Sequence, residues 1–259
     1  MTLTQLANAR IVTPNGVVRG SLSMSADRIV SVGSQAAAPN ALDLSGGWLL
    51  PGFIDTQVNG GGGVLFNDSP TVDAIAAIGA AHARFGTTAF LPTLISDDLE
   101  VIDRAMRAVE QAIAAGVSGV VGIHIEGPFI NVSRKGIHDP TKFRRLDVQT
   151  IRLLTSLKAG RTLLTIAPEL CTTDDIASLV AGGVVVAAGH TDATFNVMRA
   201  ALDAGVTGFT HLFNAMSPLT HRAPGTVGAA LDDATSYCGI IVDGQHVDPV
   251  ALRIALRTK

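Results

Sequence analysis

After Trp48 the chain alternates between short, uninterrupted apolar runs and longer segments of helical period. That alternation constrains the fold more than any other feature. Apolar runs of about four to eight residues read as strands buried on both faces, and strands alternating with amphipathic helices make βα units around a parallel sheet. Seven such runs stand out: 49–55, 87–91, 119–125, 162–167, 184–188, 206–210 and 239–242. Cap residues and glycines bound the helices between them. One runs from Thr71 to Gly86 with Ile75, Ile78, His82 and Phe85 on one face. Others start at Asp97, Thr173 and Asp192 and stop at Gly116, Gly182 and Gly205, and Asp248-Pro249 opens a last one. The expected architecture is a (β/α)8 barrel over residues 49–259, with seven of its eight strands visible. Residues 1–48 read differently. Their runs at 6–12, 17–24 and 28–32 are separated by turn residues and predict a small β subdomain.

Apolar residues make up 47% of the 259 and charged residues 16%, with a formal net charge of -3, which excludes a disordered chain. No basic stripe is available to neutralise phosphates, so a nucleic-acid partner is not expected. The longest uncharged apolar stretch, Ile176 to Gly189, has 14 residues and falls short of the roughly 20 that a membrane span needs. The first ten residues lack the pattern of a signal peptide. Cys171 and Cys238 are too few for a disulfide framework. A soluble cytoplasmic protein with no membrane partner is the expectation.

In a βα barrel the chemistry sits at the carboxyl ends of the strands. Three of the runs lead directly into a side chain able to bind metal: Glu126, His190 and His211. Two imidazoles and a carboxylate with an open position form a catalytic zinc arrangement, as distinct from a closed structural one. His124, two residues before Glu126, shares its side of the pleat and reads as a further ligand or a packed neighbour. Asp55 reads as an acceptor behind the site or a turn residue. Glu169 lines the mouth or faces solvent. The glycines at 60–63 lack the Gly-Lys-Ser/Thr ending of a phosphate loop and read as tight turns. Asn214-Ala215-Met216, the segment His221 to Gly225, and the segment Asp243 to His246 bring polar groups to the same face, together with Arg134, Lys135 and His138. They read either as a basic rim for an anionic small substrate or as solvated loops.

Several segments taken together are specific to one family. They are Pro-Gly-Phe-Ile-Asp-Thr-Gln-Val-Asn-Gly-Gly-Gly-Gly from Pro51, Leu-Pro-Thr from Leu91 and His-Ile-Glu-Gly-Pro-Phe from His124. Lys-Gly-Ile-His from Lys135, Ala-Gly-His-Thr-Asp-Ala-Thr from Ala188, His-Leu-Phe-Asn-Ala-Met from His211 and Asp-Gly-Gln-His-Val-Asp from Asp243 complete the set. In these the chain resembles the N-acetylglucosamine-6-phosphate deacetylases of the amidohydrolase superfamily. The resemblance implies a TIM-like barrel of the metal-dependent hydrolase type with a small N-terminal β-sandwich, working as a homodimer in amino-sugar catabolism or cell-wall recycling. It implies Glu126, His190 and His211 as ligands of one divalent metal ion, with zinc first and iron(II) or another ion able to use the same ligands. Gln57 and Asn59 stand where many amidohydrolases carry His-x-His for a second metal, and with His124 they are expected behind the ligands. His138 is implied as the catalytic group at the substrate's acetyl carbonyl, with Ile137 beside it. Asn214, Ala215, Arg222 and His246 are implied to hold the sugar phosphate. The family's acid/base aspartate, at the end of an eighth strand, has no counterpart in this chain. A truncated relative that binds metal and sugar phosphate without turnover is therefore the competing expectation.

Overall fold

The computed structural model describes residues 3–259. The chain divides into two compact units between Phe53 and Ile54. The first is a single five-stranded sheet made of β1 (Leu3–Thr13), β2 (Gly16–Ser25), β3 (Arg28–Gly33), β4 (Leu42–Asp43) and β5 (Trp48–Leu49). β1 and β2 form an antiparallel hairpin, β3 pairs β2, and the short β4 and β5 both run parallel to β1. The alternation of β1 turns Gln5, Ala7, Ala9 and Ile11 inward while Thr4, Asn8 and Arg10 face out. Gln5 is buried, and its amide is fully matched. Its Nε2 lies 3.4 Å from the hydroxyls of Ser21 and Ser23 and 3.3 Å from the Ala36 carbonyl, and its Oε1 accepts from Ala38 N.

The second unit begins with β6 (Phe53–Val58), then a small hairpin of β7 (Gly60–Gly61) and β8 (Val64–Leu65). It continues through α1 (Val72–Ala83), β9 (Thr87–Ile95), α2 (Leu99–Ala114), β10 (Gly122–Glu126), α3 (Val148–Leu154), β11 (Arg161–Ile166) and α4 (Thr173–Ala181). β12 (Val185–Ala188), α5 (Phe195–Asp203), β13 (Gly208–Phe209), α6 (Gly225–Asp232), β14 (Tyr237–Cys238) and α7 (Pro249–Thr258) complete it. The main sheet has seven strands in the order β14-β13-β12-β11-β10-β9-β6, and the pairings from β9 to β14 are parallel. This is the α/β barrel sheet that the alternation predicts. The central strand Gly122–Glu126 is buried from both sides, whereas the edge strands β6 and β14 are largely exposed. α2 explains the outer layer. Ile102, Ala105, Met106, Val109 and Ala112 repeat at three and four residues and are all buried, and each large side chain contributes about 1.5–3 kcal/mol. No helix of the described residues is long and apolar enough to cross a membrane.

Several boundaries move from the sequence reading. The first strand of the sheet starts at Phe53, and Leu50 and Ile54 lie exposed. α1 is capped by Thr71 as expected but stops at Ala83, which leaves Phe85 80% exposed. Asp98, rather than Asp97, is the N-cap position of α2, and the Asp97 carboxylate is turned to Asn67 Nδ2. α4 is capped by Thr172 in a reciprocal capping box with Asp175. α5 begins only at Phe195, after a Thr194 cap. α3 and α6 have no forerunner in the sequence reading. β13 keeps only two residues of the expected 206–210, because the chain turns at Thr210, and the last strand falls at Tyr237–Cys238, before the expected 239–242, which forms no strand.

Candidate metal centre

β10 ends in Glu126, and two buried imidazoles meet one of its oxygens. His190 Nε2 is 3.2 Å and His211 Nε2 3.0 Å from Glu126 Oε1, and the two nitrogens are 3.0 Å apart. Ligand atoms around a tetrahedral zinc ion with bonds of about 2.0–2.1 Å are separated by about 3.3 Å, so the triangle has the size of one coordination face.

Both histidines sit one turn beyond a strand with left-handed backbones, at φ 49° for His190 and 38° for His211. Such conformations are uncommon for a residue with a Cβ and have to be held in place. The hydrogen bonds that hold them also fix their protons. His190 Nδ1 lies 2.7 Å from the Arg134 carbonyl and His211 Nδ1 3.1 Å from the Asn214 carbonyl. A carbonyl only accepts, so each Nδ1 carries the proton and each Nε2 presents a lone pair. Two lone pairs and a carboxylate oxygen therefore converge on one point. Without a cation between them that arrangement is repulsive. With one, every group has its complement.

The surroundings tighten the site. Gln57 Nε2 donates to Glu126 Oε1 at 3.0 Å, which steadies the carboxylate from the side of β6. Glu169 ties two loops together. Its Oε1 accepts from Asn131 Nδ2 and Asp192 N, and its Oε2 accepts from the Thr191 hydroxyl. The turn His190-Thr191-Asp192 is thereby fastened to the loop that carries Arg134, whose guanidinium also grips Asp192 at 2.7 Å. Glu169 is thus not a free solvated carboxylate, since both its oxygens are bonded. Gly189 has to lack a side chain, since a Cβ there would stand 2.8 Å from Thr165 Cγ2 and 2.9 Å from Thr210 Cβ.

His138 enters from the long loop after β10. Its Nε2 is 4.0 Å from Glu126 Oε2, its ring centroid is 4.4 Å from that of His190, and Ser96 contacts its Nδ1. Burial, with His190 next, lowers its pKa to about 4. Glu126, His138 and His190 each offer a ligand atom within 4.8 Å of one another, so His138 is placed in the same cluster. Behind it lies His124, whose Nε2 is 2.7 Å from Thr165 Oγ1, itself 2.7 Å from Thr210 Oγ1. Burial lowers His124 to about 4 as well, so it sits there as a neutral ring.

The structure brings Gln57, Glu126, His138, His190 and His211 together, with His124 behind them. The expected phosphate-holding residues are more scattered. Arg222 lines a cavity of about 500 Å³ with Asp192, Thr194 and Ser217, separate from a cavity of about 270 Å³ lined by Gln57, His124 and His211. His246 bonds to Asp243 of its own turn at 2.6 Å and is exposed. Ile137 is 87% exposed. Asn214 Nδ2 makes only a 3.4 Å contact to the Leu212 carbonyl, and the Ala215 carbonyl accepts from Thr191 N. Asn59 Nδ2 is buried with no hydrogen-bond partner among the described residues. Asp55 lies within β6 and accepts from Gln57 N, so it is not a turn residue. Sequence reasoning missed Ser96, whose only signal is a small polar residue at the end of a buried strand.

A barrel sheet with a Glu-His-His cluster at its strand ends is the arrangement of a metal-dependent hydrolase, and the chain belongs to the amidohydrolase family, whose model matches residues 48–259. Among curated proteins it is 47% identical over 216 residues to the N-acetylgalactosamine-6-phosphate deacetylase of Shewanella sp. (strain ANA-3), covering 83% of this chain and 55% of that protein. It is 38% identical over 219 residues to the N-acetylglucosamine-6-phosphate deacetylase of Haemophilus influenzae, covering 84% and 57%. Among solved structures, the N-acetylglucosamine-6-phosphate deacetylase of Pasteurella multocida superposes with a TM-score of 0.94 at 35% identity, over 100% of this chain and 69% of that one. A mutant of the enzyme from Mycobacterium smegmatis, in complex with N-acetyl-D-glucosamine-6-phosphate, superposes at 0.91 and 37%, over 100% and 68%. The chain spans a little over half the length of the first two of these relatives.

Proposed function

We propose that this chain carries the metal centre of a deacetylase that hydrolyses the acetamide of N-acetylglucosamine 6-phosphate, giving glucosamine 6-phosphate and acetate. The observation that carries this reading is the convergence of Glu126 Oε1 with the unprotonated Nε2 atoms of His190 and His211. These three would hold one divalent ion, and zinc suits two imidazoles and a carboxylate best, with iron(II) able to use the same set. When bound, the ion supplies Lewis acidity to the amide carbonyl and lowers the pKa of water.

The protein's own groups do the rest. Gln57 fixes the carboxylate. It also puts an amide where a second metal would need a basic ligand, which favours a single ion. His138 donates a hydrogen bond to the oxygen that gains negative charge as the carbonyl is attacked. The resemblance gives proton transfer to an aspartate at the end of an eighth strand, and no residue of this chain is assigned that role. Arg222, His246, Asn214 and Ala215 are the candidates for the sugar phosphate, and Ile137 for the acetyl side. A β subdomain over 1–48 beside a hydrolase barrel over 49–259, a homodimer and a cytoplasmic location complete the proposal.

The test is acetate release from N-acetylglucosamine 6-phosphate by the purified protein, before chelation, after it, and after zinc is restored. The galactosamine epimer belongs in the same assay, because the 47%-identical relative is named for it. Release that vanishes with the metal and returns with zinc is expected. A metal-loaded protein that releases no acetate from either epimer overturns the proposal.

A further inference from the structure

We propose that Ser96 is a positioning residue that fixes His138 as its Nε2–H tautomer, so that this imidazole presents an N–H and not a lone pair to the metal centre. The catalytic consequence rests on the deacetylase reading above. The tautomer itself does not.

Hydrogen-bond direction assigns the proton of His138. β9 ends at Ile95, and the next residue, Ser96, is 7% exposed. Its backbone N–H donates to His138 Nδ1 at 3.2 Å, and its hydroxyl lies 2.7 Å from the same nitrogen. A backbone N–H can only donate, so Nδ1 is the accepting nitrogen and the hydroxyl donates to it too. In a neutral ring the proton is then on Nε2. That nitrogen faces Glu126 Oε2 at 4.0 Å.

The other two imidazoles are set the opposite way, since their Nδ1 atoms meet carbonyls. Three rings with near-identical surroundings are thus sorted into two ligands and one donor by what touches Nδ1. His138 belongs to the cluster by distance, yet its tautomer excludes it from the ligand set. This is the chemistry needed of a group that meets a developing oxyanion.

The rest of this corner keeps Ser96 in place. A Cβ on Gly127 would stand 2.3 Å from Ser96 Oγ, so the hydroxyl occupies the room that this glycine leaves. Gly127 also has a φ of 79°, which suits glycine. Lys142 bonds Asp98 and lies 3.7 Å from Asp97, which ties the far side of the His138 loop to the same strand end.

The test combines nitrogen-15 NMR of the histidine rings in zinc-loaded protein with kinetics of Ser96→Ala. Expected for the parent protein is a protonated Nε2 at His138 and protonated Nδ1 at His190 and His211. Expected for Ser96→Ala, which keeps the backbone N–H but loses the hydroxyl, is a weaker hydrogen bond at His138 Nδ1, read as a changed nitrogen-15 shift of that atom, and a kcat about tenfold lower, with KM and metal content unchanged. A parent His138 protonated at Nδ1 overturns the proposal. So does a Ser96→Ala protein whose His138 Nδ1 shift is parental, whatever its rate. A parent that releases no acetate would sink the deacetylase reading and leave the ring measurement as decisive as before. If Ser96→Ala fails to fold, the parent spectrum alone still decides.

Discussion

Two tiers of buried polar side chains stand on the same sheet. In the lower one, His124 on β10, Thr165 on β11 and Thr210 after β13 are linked by 2.7 Å contacts. Hydroxyls rotate to donate or accept as needed, so every pairing there is complementary. In the upper one, Glu126, His190 and His211 offer only acceptors to one another. The difference shows how burial can be diagnostic. A buried polar group whose partners complement it stabilises a fold, whereas buried groups locked into the same role are kept for something that binds between them.

Breaking the upper tier produces the largest effect. His211→Ala should lose the metal, from about one ion per chain to a small fraction, and lower acetate release by roughly 10³-fold or more. Metal analysis and the acetate assay check it, and an active variant with full occupancy would collapse the distinction between the tiers. Loosening the support of that tier should do less. Glu169→Ala frees the turn that carries His190, and metal affinity should fall by about 10- to 100-fold in a competition assay with a chelating dye. Unchanged affinity would mean that the Arg134 carbonyl holds His190 unaided.

The smallest effect concerns the lower tier and is a matter of stability. His124 has a folded pKa of about 4 against an ordinary 6.5 because of its burial. Between those values the unfolded chain binds a proton that the folded one does not, so stability falls as the pH drops through this window. The loss is about 3 kcal/mol at most. In His124→Gln, urea unfolding of metal-free protein at pH 7 and pH 4.5 should show a shallower acid loss than in the parent, while metal binding at pH 7 survives. An equal acid loss in both proteins would remove His124 from the account.

The Glu126, His190 and His211 cluster was legible because each member follows directly on an apolar run, and strand ends in a barrel are where side chains point at one spot. Helix starts at Thr71 and Asp248 were legible for the same reason that caps work, through a side-chain oxygen meeting free N–H groups. Other features depend on partners distant in sequence. Asp97 looks like a cap until Lys142 and Asn67 claim it. α6 is almost entirely buried, so no amphipathic period marks it. β13 and β14 are too short for alternation to show. Glu169 is separated by more than 20 residues from all three of its partners, and Ser96 by 42 from His138. What a side chain's second atom touches is a fact of tertiary structure alone.

The left-handed turns at His190 and His211 bear on time as well as on shape. Each is fastened by its own hydrogen bonds to a carbonyl, and Glu169 and the Arg134–Asp192 pair brace the first of them. Folding therefore supplies the restraint on where the two rings stand, and the ion between the acceptors supplies the attraction that closes the face. An ion that leaves gives up that attraction while the restraint stays, so a second ion meets rings already held near their places.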